Sequence, residues 1–264
     1  MGTWLKKIKK PSEYHFLIDD TSSFKYNIRI STASSEITAS PKYYSFSDVL
    51  GRNGSTTTFM GTFENKQMTF ECSFVDDRKS SPSFWYNQYR KIKNWIMSAN
   101  DKKETHKLRV SDDNEWYMNI VKAEISECKR TAHVVGSFKI TFTLEPFSWS
   151  VAGDKWKPIK ECFFNPYYKC APIYRIKNNN VKAMDFAIKV NDNKAVTVIN
   201  CQTDRYYYID SDLQITYSKP FEQEGIYRAG RTGLEEYTQL DSGRNDIEVT
   251  DGFEVLCKTR WRSL

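Results

Sequence analysis

Adjacent pairs of aspartates are the residues of this chain whose type and spacing most resemble catalytic machinery. The pairs are Asp19-Asp20, Asp76-Asp77 and Asp112-Asp113. A glycosidase needs two carboxyl groups that face each other across a cleft. Neighbouring residues on a strand point to opposite faces, and these pairs fall at predicted turns, so we interpret them as solvated turn residues. Three such loops could together bind calcium, but the spacing of a calcium-binding loop is absent.

The histidines and cysteines form no recognisable metal or nucleophile motif either. His15, His106 and His133 are the three histidines, and each is predicted to be a surface or strand-edge residue. No two cysteines form a CxxC pair, and none has a histidine nearby in zinc-finger spacing. The cysteines are Cys72, Cys128, Cys162, Cys170, Cys201 and Cys257. We therefore predict no catalytic residue, no metal and no cofactor, and we predict that the protein is not an enzyme.

The cysteines are also predicted to be unpaired. A chain of 264 residues can bury a sizeable core without disulfides, and its start has no apolar segment typical of a secretory signal. We predict six free thiols, with Cys162 and Cys170 as the pair best able to be an exception. Cys72 lies in an alternating apolar run and is predicted to pack in the core as a small hydrophobic residue.

The composition excludes several classes of protein. Aromatic residues make up 15% of the chain, which excludes global disorder, and no run of about 18 apolar residues is present to span a membrane. The net charge is +6, and four lysines stand within the first ten residues. A dedicated nucleic-acid binder has a denser basic face, so we predict no nucleic-acid binding and interpret the basic start as an arm that is flexible or contacts a partner.

Two further patterns could bind a ligand. The quartets Gly51–Gly54 and Gly230–Gly233 have the GxxG spacing of a loop that clamps nucleic acid, but their strand-like or loop-like surroundings favour tight turns. The clusters Tyr43-Tyr44 and Tyr206–Tyr208 could stack on bases or sugars. Alternate tyrosines of a strand face the core, and the exposed ones would equally suit a protein interface.

The front half of the chain is predicted to be antiparallel strands with one buried face. The strand-like runs are 26–30, 66–75, 106–110, 115–125 and 138–144. In the fourth run the apolar phase changes at Ile120-Val121, which predicts a bulge or bend. One amphipathic helix is predicted from Ser81 and Pro82 to Asn100. Its apolar stripe is Trp85, Tyr89, Ile92, Ile96 and Ala99.

The back half is predicted to contain strands only. Residues 147–169 include two prolines and no clear period, so we predict a linker or long connection there. Short strands are predicted at 173–177, 184–190, 195–200, 206–209, 213–217, 247–250 and 253–257, with a long loop at about 219–241. Such spacing is typical of a sandwich or barrel. The predicted fold is mainly β, with an α+β domain at 1–148 and an all-β domain at 149–264.

Four groups of motifs follow one another along the chain. They are Leu50–Thr56 with Gly61–Gln67; the helical Ile92–Met97; Lys107–Val110, Glu115–Met118 and Gly136–Trp149; and Ala171–Tyr174, Tyr208–Asp210, Leu240–Ile247 and Arg260–Arg262. Each is a turn or strand pattern of low specificity, and their order and spacing carry the signal. In that order they resemble the distal tail protein family of siphophages, the ring protein of the tail hub.

The resemblance implies an architecture and a role. Residues 1–148 would form the ring domain, a β-sandwich with one helix and an extended hairpin, and residues 149–264 a galectin-like β-sandwich. The family assembles as a homo-hexameric ring that joins the tail tube protein to the tail-associated tip protein. In many phages it also carries receptor-binding or baseplate proteins. The implied location is the virion tail tip, after assembly in the cytoplasm of the bacterial host, with no membrane insertion.

An alternative function is a carbohydrate-binding β-sandwich module that mediates adhesion to the host cell wall, and it rests on the abundant Trp and Tyr. Sugar-binding galectins contain a His-x-Asn-Pro-Arg run and a Trp-x-x-Glu pair. The back half contains neither, and it has no histidine. A platform that docks other tail proteins is therefore preferred, and the sequence assigns no individual interface residue.

Overall fold

The computed structural model describes residues 14–35, 41–45, 53, 57–75, 83–101, 105–132, 135–193, 195–221, 227–228, 231–232 and 237–264. The chain divides into two compact units: unit 1 is Met1–Ser148 with Leu264, and unit 2 is Trp149–Ser263. Several residues singled out above lie outside the described residues. They are the lysine-rich start, Asp76-Asp77, Ser81, Pro82, His133 and the four glycines of the GxxG quartets.

Unit 1 is built mainly from one antiparallel sheet. Its elements are β1 (Phe16–Ile18), β2 (Thr21–Ser22), a 3-10 helix (Ser23–Tyr26), β3 (Ile28–Ser35), β4 (Pro41–Ser45), β5 (Thr57–Phe63), β6 (Lys66–Val75), α1 (Ser83–Ser98), β7 (Lys107–Val110), β8 (Asp113–Ile125), β9 (Lys129–Ala132) and β10 (Val135–Ser150). The strand order is β2-β1-β7-β8-β10-β6-β3, and β9 also pairs with β10. Strands β4 and β5 pair as a separate antiparallel hairpin.

The core of unit 1 lies on one face of β6 and β10. Their alternation predicts the buried face correctly, because Phe70 and Phe74 of β6 are fully buried and Cys72 is 3% exposed. Phe74 lies opposite Gly136 of β10. A Cβ added at Gly136 would lie 2.6 Å from the Phe74 ring, so the close packing here requires glycine.

Helix α1 packs its predicted stripe into the same core. Ile92 and Ile96 are fully buried, and Trp85 is 7% exposed. Burial of each isoleucine contributes about 1.5–3 kcal/mol, which exceeds what helix propensity could supply. Two rings from other elements complete the packing, because Tyr26 and Phe16 each stack on Trp95, at centroid distances of 4.4 and 5.7 Å.

Two strand predictions in unit 1 need correction. Tyr26 belongs to the 3-10 helix, which ends at the left-handed Asn27, and β3 begins at Ile28. The apolar phase of β8 does change, but Val121 is 50% exposed and the next buried residue is Ala123. Val121 and Lys122 both face solvent, so the phase change lies after Val121 rather than before it.

Unit 2 consists of β-strands and turns in its described residues. They are β11 (Lys157–Pro158), β12 (Cys162–Asn165), β13 (Ile173–Asn178), β14 (Met184–Val190), β15 (Val196–Cys201), β16 (Arg205–Asp210), β17 (Ile215–Pro220), β18 (Tyr227–Arg228), β19 (Arg231–Thr232), β20 (Gly243–Val249), β21 (Phe253–Lys258) and β22 (Arg262–Ser263). The linker predicted at 147–169 is wrong, because β10 continues to Ser150 and both β11 and β12 join sheets of unit 2.

Two sheets form unit 2. One has the order β11-β21-β13-β16-β17-β18 and the other β12-β20-β14-β15-β19. Fully buried residues of both, such as Tyr174 and Ile176 on the first and Phe186 and Ile188 on the second, form one core. The predicted mainly-β fold is therefore confirmed. The strand predicted at 213–217 begins later, because Leu213 lies in a turn and is 65% exposed.

Buried asparagines hold the turns of unit 2. Asn245, which is fully buried, accepts a hydrogen bond from the Asp241 N–H at 2.8 Å and donates to the carbonyls of Asp241 and Gly243. Asn165 is also fully buried, and its amide donates to the carbonyls of Tyr168 and Leu240. Each side chain adds hydrogen bonds to backbone groups at the turns, which explains the polar motif at 240–247.

Candidate interaction surfaces

Asp19 and Asp20, one of the pairs that resembled catalytic machinery, have a structural role. Asp19 and Asp20 form the tight turn between β1 and β2, both with positive φ. Asp19 Oδ1 accepts from the Lys107 N–H at 2.8 Å, and Oδ2 lies 2.5 Å from His106 Nδ1. Asp20 forms an ion pair with Arg109. The interpretation as turn residues is correct, but these carboxylates also tie the turn to β7.

The other candidate ligands do not converge. Within the described ranges, no group of three or more His, Cys, Asp or Glu side chains is placed to hold a metal ion. All six cysteines are free thiols, and Cys162 is exposed whereas Cys170 is buried. Burial raises the pKa of Cys72, Cys170 and Cys201 to about 12 and that of Cys128 to about 11, which makes these thiols poor nucleophiles.

A small cleft in unit 1 does not have the features of a ligand site. Tyr14, Phe24, Arg29 and Ile30 line a volume of about 240 Å³. Ligand pockets usually enclose about 300–1,000 Å³ with several convergent polar groups. Burial, with the nearby Asp112, raises the pKa of the Tyr14 hydroxyl, so it stays neutral at physiological pH. We assign no ligand to this cleft.

Unit 1 exposes several large apolar side chains. On the outer side of α1, Tyr86 is 55% and Met97 is 43% exposed, and on β8 Val121 is 50% exposed. A further feature is the edge strand β3, which is eight residues long and pairs with β6 on one side. Within the described residues no strand pairs with its other side. Unpaired edges of this length are ready to pair with another chain.

Unit 2 has a surface of different chemistry on the outer face of its six-stranded sheet. Four residues lie directly opposite one another on four neighbouring strands, in the order Leu256, Arg175, Tyr208 and Tyr217. We call this surface the aromatic face. Its members are Trp156, Arg175, Lys177, Tyr206, Tyr208, Tyr217, Lys219, Phe221 and Lys258. The predicted alternation of Tyr206–Tyr208 is correct, because Tyr207 is buried and its two neighbours lie on this outer face.

Cations and rings interleave on the aromatic face. The Arg175 guanidinium lies 5.3 Å from the ring centre of Trp156 and 5.0 Å from that of Tyr206. Lys258 Nζ lies 5.1 Å from the ring centre of Trp156, and Lys177 Nζ lies 5.8 Å from that of Phe221. Tyr208 and Tyr217 stack in parallel at 4.8 Å. Burial, with Tyr208 and Asp210 nearby, raises the pKa of Tyr217, so its hydroxyl stays neutral at physiological pH.

Sequence reasoning identified Tyr206 and Tyr208 of this face but missed Tyr217 and the cations. Arg175 and Lys177 stand two residues apart on β13, as Tyr206 and Tyr208 do on β16, so the period of two was visible in each strand. Only the register shows that Arg175 lies opposite Tyr208 and Lys177 opposite Tyr206. The other tyrosine cluster, Tyr43-Tyr44, lies on β4, where only the backbone is described.

Comparison with known proteins identifies the class of protein. Residues 12–145, just over half of the chain, match the family model of the phage tail protein N-terminal domain. The chain therefore belongs to this family of phage tail proteins. Comparison with curated protein sequences gives no match. No helix in the described part of the chain is long and apolar enough to cross a membrane.

Solved structures share the fold over nearly the whole chain. One is the crystal structure of SPP1 Dit (gp 19.1), a hub adsorption protein of phages that infect Gram-positive bacteria. It is 10% identical with a TM-score of 0.64, and the match covers 95% of this chain and 98% of that one. A chain of the phage P2 baseplate, in its activated conformation with Ca, is 12% identical with a TM-score of 0.54 and the same coverage. The fold is therefore that of a Dit-type tail protein.

Proposed function

We propose that this protein is the subunit of a homo-hexameric ring at the tail hub, where it joins the tail tube protein to the tail-associated tip protein. The observation that carries the proposal is the extent of the fold similarity. It spans 95% of this chain and 98% of SPP1 Dit, so both units have a counterpart in a hub protein. The role is geometric and requires no catalytic residue.

The surfaces of unit 1 support ring formation. A ring closes through heterologous contacts, in which one surface of a subunit binds a different surface of the next. The open edge of β3 offers backbone N–H and C=O groups to a neighbour, and the Thr32 and Ala33 side chains there are small and exposed. Tyr86 and Met97 on α1 supply exposed apolar area that such a contact would bury.

The proposal also assigns partners and a location. A hub at the tail tip contacts the tube on one side and the tip protein on the other. Receptor-binding or baseplate proteins would dock at its periphery. The protein would function in the virion tail tip after assembly in the cytoplasm of the bacterial host.

The mass of the purified protein in solution tests the proposal. Light scattering should give a mass near six times 31.0 kDa, and negative-stain images of the same peak should show rings with a central hole. Such rings can need a partner to close, so a monomeric preparation is then mixed with the tip protein of the same phage. A protein that forms no ring under either condition contradicts the proposal.

Variants of β3 test the proposed contact. Lysine on an edge strand blocks pairing with another chain, so Thr32→Lys and Ala33→Lys should lower the ring population. Gln67→Lys places the same charge on β6, which is paired on both sides and should leave the ring intact. If all three variants lose rings equally, the loss is caused by the added charge alone and not by a contact at the edge of β3.

A further inference from the structure

We propose that the aromatic face of unit 2 binds an anionic saccharide, a sugar chain that carries phosphate or carboxylate groups. This inference concerns unit 2 alone and does not depend on ring assembly. It gives the aromatic face a ligand class that neither the family nor the shared fold assigns.

Arg175 is the centre of the proposed site. Its guanidinium lies between the rings of Trp156 and Tyr206, and no carboxylate of the described residues contacts it. The rings restrict its orientation, so less entropy is lost when it binds. A guanidinium stacked on rings still presents N–H donors at its edge, and their fork geometry matches a carboxylate or a phosphate.

The charges around Arg175 leave a positive excess. Lys177 and Lys219 both lie in register with Tyr206, and Lys258 lies beside Trp156. Among the described residues, three carboxylates lie near these four cations: Asp154 is 3.7 Å from Lys258 Nζ, Glu254 lies in register with Lys177, and Asp210 lies near Tyr217. Four cations against three carboxylates leave a small positive excess in this part of the structure. Such a surface suits a polymer with one anionic group per several ångströms of length.

The rings fit the other half of such a ligand. Sugars have apolar C–H faces, which pack on exposed aromatic rings, and hydroxyl groups, which stay hydrated at the rim. Phe221 is 42% exposed at one end of the face, and Tyr208 and Tyr217 form a stacked pair near its middle. The row from Leu256 to Tyr217 crosses four strands, or about 14 Å, which accommodates two or three sugar rings.

Two other classes of partner fit less well. The core of a protein interface is depleted in lysine, because burial removes each ammonium group from water, and this face contains three lysines. A nucleic acid would require a denser basic surface without interspersed carboxylates. We therefore favour the saccharide, and the test below includes an acidic peptide and an oligonucleotide.

Titration calorimetry of the 264-residue chain tests the proposal with four kinds of probe. A galacturonate hexamer carries carboxylates, and an N-acetylglucosamine oligomer linked by phosphodiesters carries phosphates, so the two distinguish the sources of charge. Maltohexaose is the neutral control. Hexaglutamate and a six-nucleotide single-stranded DNA represent the other classes.

At least one anionic saccharide should bind with a Kd below about 1 mM at low salt, and binding should weaken roughly tenfold when the salt is raised. Arg175→Gln should weaken binding at least about tenfold, and Lys177→Gln, at a more peripheral position, by about threefold. Lys189→Gln changes a cation that faces outward on the other sheet and should leave binding unchanged.

Four results would overturn the proposal. They are failure of both anionic saccharides to bind at roughly 5 mM, equal binding of maltohexaose, unchanged binding by Arg175→Gln, and tighter binding of hexaglutamate or DNA than of either saccharide. Because the face is superficial, all three variants should unfold at the wild-type temperature. If Arg175→Gln lowers that temperature, the Lys177→Gln result decides the outcome.

Discussion

Asn100 and Ala123 form a reciprocal pair of hydrogen bonds that joins the turn after α1 to the C-terminal end of β8. The Asn100 Oδ1 accepts from the Ala123 N–H at 2.8 Å, and its Nδ2 donates to the Ala123 carbonyl at 2.9 Å. The side chain thus pairs with β8 as a neighbouring strand would. Asn100 was predicted only to end the helix, and the structure shows that it also positions the helix on the sheet.

Replacement of Asn100 should destabilise unit 1. Asn100→Ala leaves the N–H and C=O of the buried Ala123 without these partners, and we expect a loss of about 2 kcal/mol in the free energy of unfolding. Urea denaturation measures the change. Asn94→Ala alters an exposed asparagine of the same helix and should change stability by less than about 0.5 kcal/mol. Equal effects of the two variants would contradict the role of Asn100.

The success of prediction in unit 1 depended on how regular the local pattern was. The bounds of β6 were predicted correctly because Met68, Phe70, Cys72 and Phe74 alternate with polar residues. Val121 was misplaced because its apolar type suggested burial, whereas its position after Ile120 turns it outward. At such a position tertiary packing, and not the apolar type of the residue, decides whether the side chain is buried. No local signal in the sequence indicates this outcome.

Lys66 should be replaceable with a gain in stability. It is 2% exposed, its Nζ donates to Ser148 Oγ at 3.2 Å, and burial lowers its pKa below the ordinary value of 10.5. Lys66→Met keeps the chain length and removes the charge, so the free energy of unfolding at neutral pH should rise by about 1 kcal/mol. Lys139→Met, on the exposed side of β10, serves as the control and should change the free energy of unfolding little.

The pH dependence of this gain follows from the direction of the pKa shift. Because the folded pKa of Lys66 is lowered, the unfolded state binds more protons, and the contribution of Lys66 to the stability of the wild type rises as the pH approaches 10.5. The advantage of Lys66→Met should therefore shrink between neutral pH and about pH 10.5. Denaturation of both proteins at several pH values measures it. A constant or growing advantage would contradict the assignment to the buried charge.

Asn245 should be among the most sensitive polar residues of unit 2. Its side chain makes hydrogen bonds to the backbone of Asp241 and Gly243, and its Oδ1 also accepts from Asn191 Nδ2 at 3.2 Å. Asn245→Ala should cost about 3 kcal/mol because several partly buried groups lose their partner. Asn193→Ala, at an exposed turn position, is the matched control. An equal change in the thermal unfolding temperature of the two variants would contradict this role.

The aromatic face was beyond sequence analysis because its members come from separate strands. Arg175, Tyr208 and Lys258 are brought together by the pairing of β13 with both β16 and β21. The short strands β11 and β12 were missed because two- to four-residue strands carry no measurable period. Trp156 precedes β11, so its place on the face could not be predicted without that strand.

The exposure of Cys162 should make it the fast-reacting thiol of the native protein. At about pH 8 a disulfide reagent should modify Cys162 rapidly, whereas the buried Cys72, Cys170 and Cys201 should react only after unfolding, because burial raises the pKa of each to about 12. Each thiol that reacts releases one half of the reagent, and the absorbance of this released group gives the number of thiols that have reacted. Cys162→Ser should abolish the fast phase, and Cys72→Ser should leave it unchanged.

The same buried thiols also set an upper limit to the pH range of stability. A thiol that is neutral in the folded state contributes stability that is fully present below 9.0, the ordinary pKa of cysteine, and is lost as the pH rises toward about 12. The urea midpoint should therefore fall above about pH 9, and Cys72→Ala should reduce the slope of that fall. A midpoint that stays constant from neutral pH to about pH 11 would mean that these thiols ionise as readily in the folded protein as in the unfolded chain.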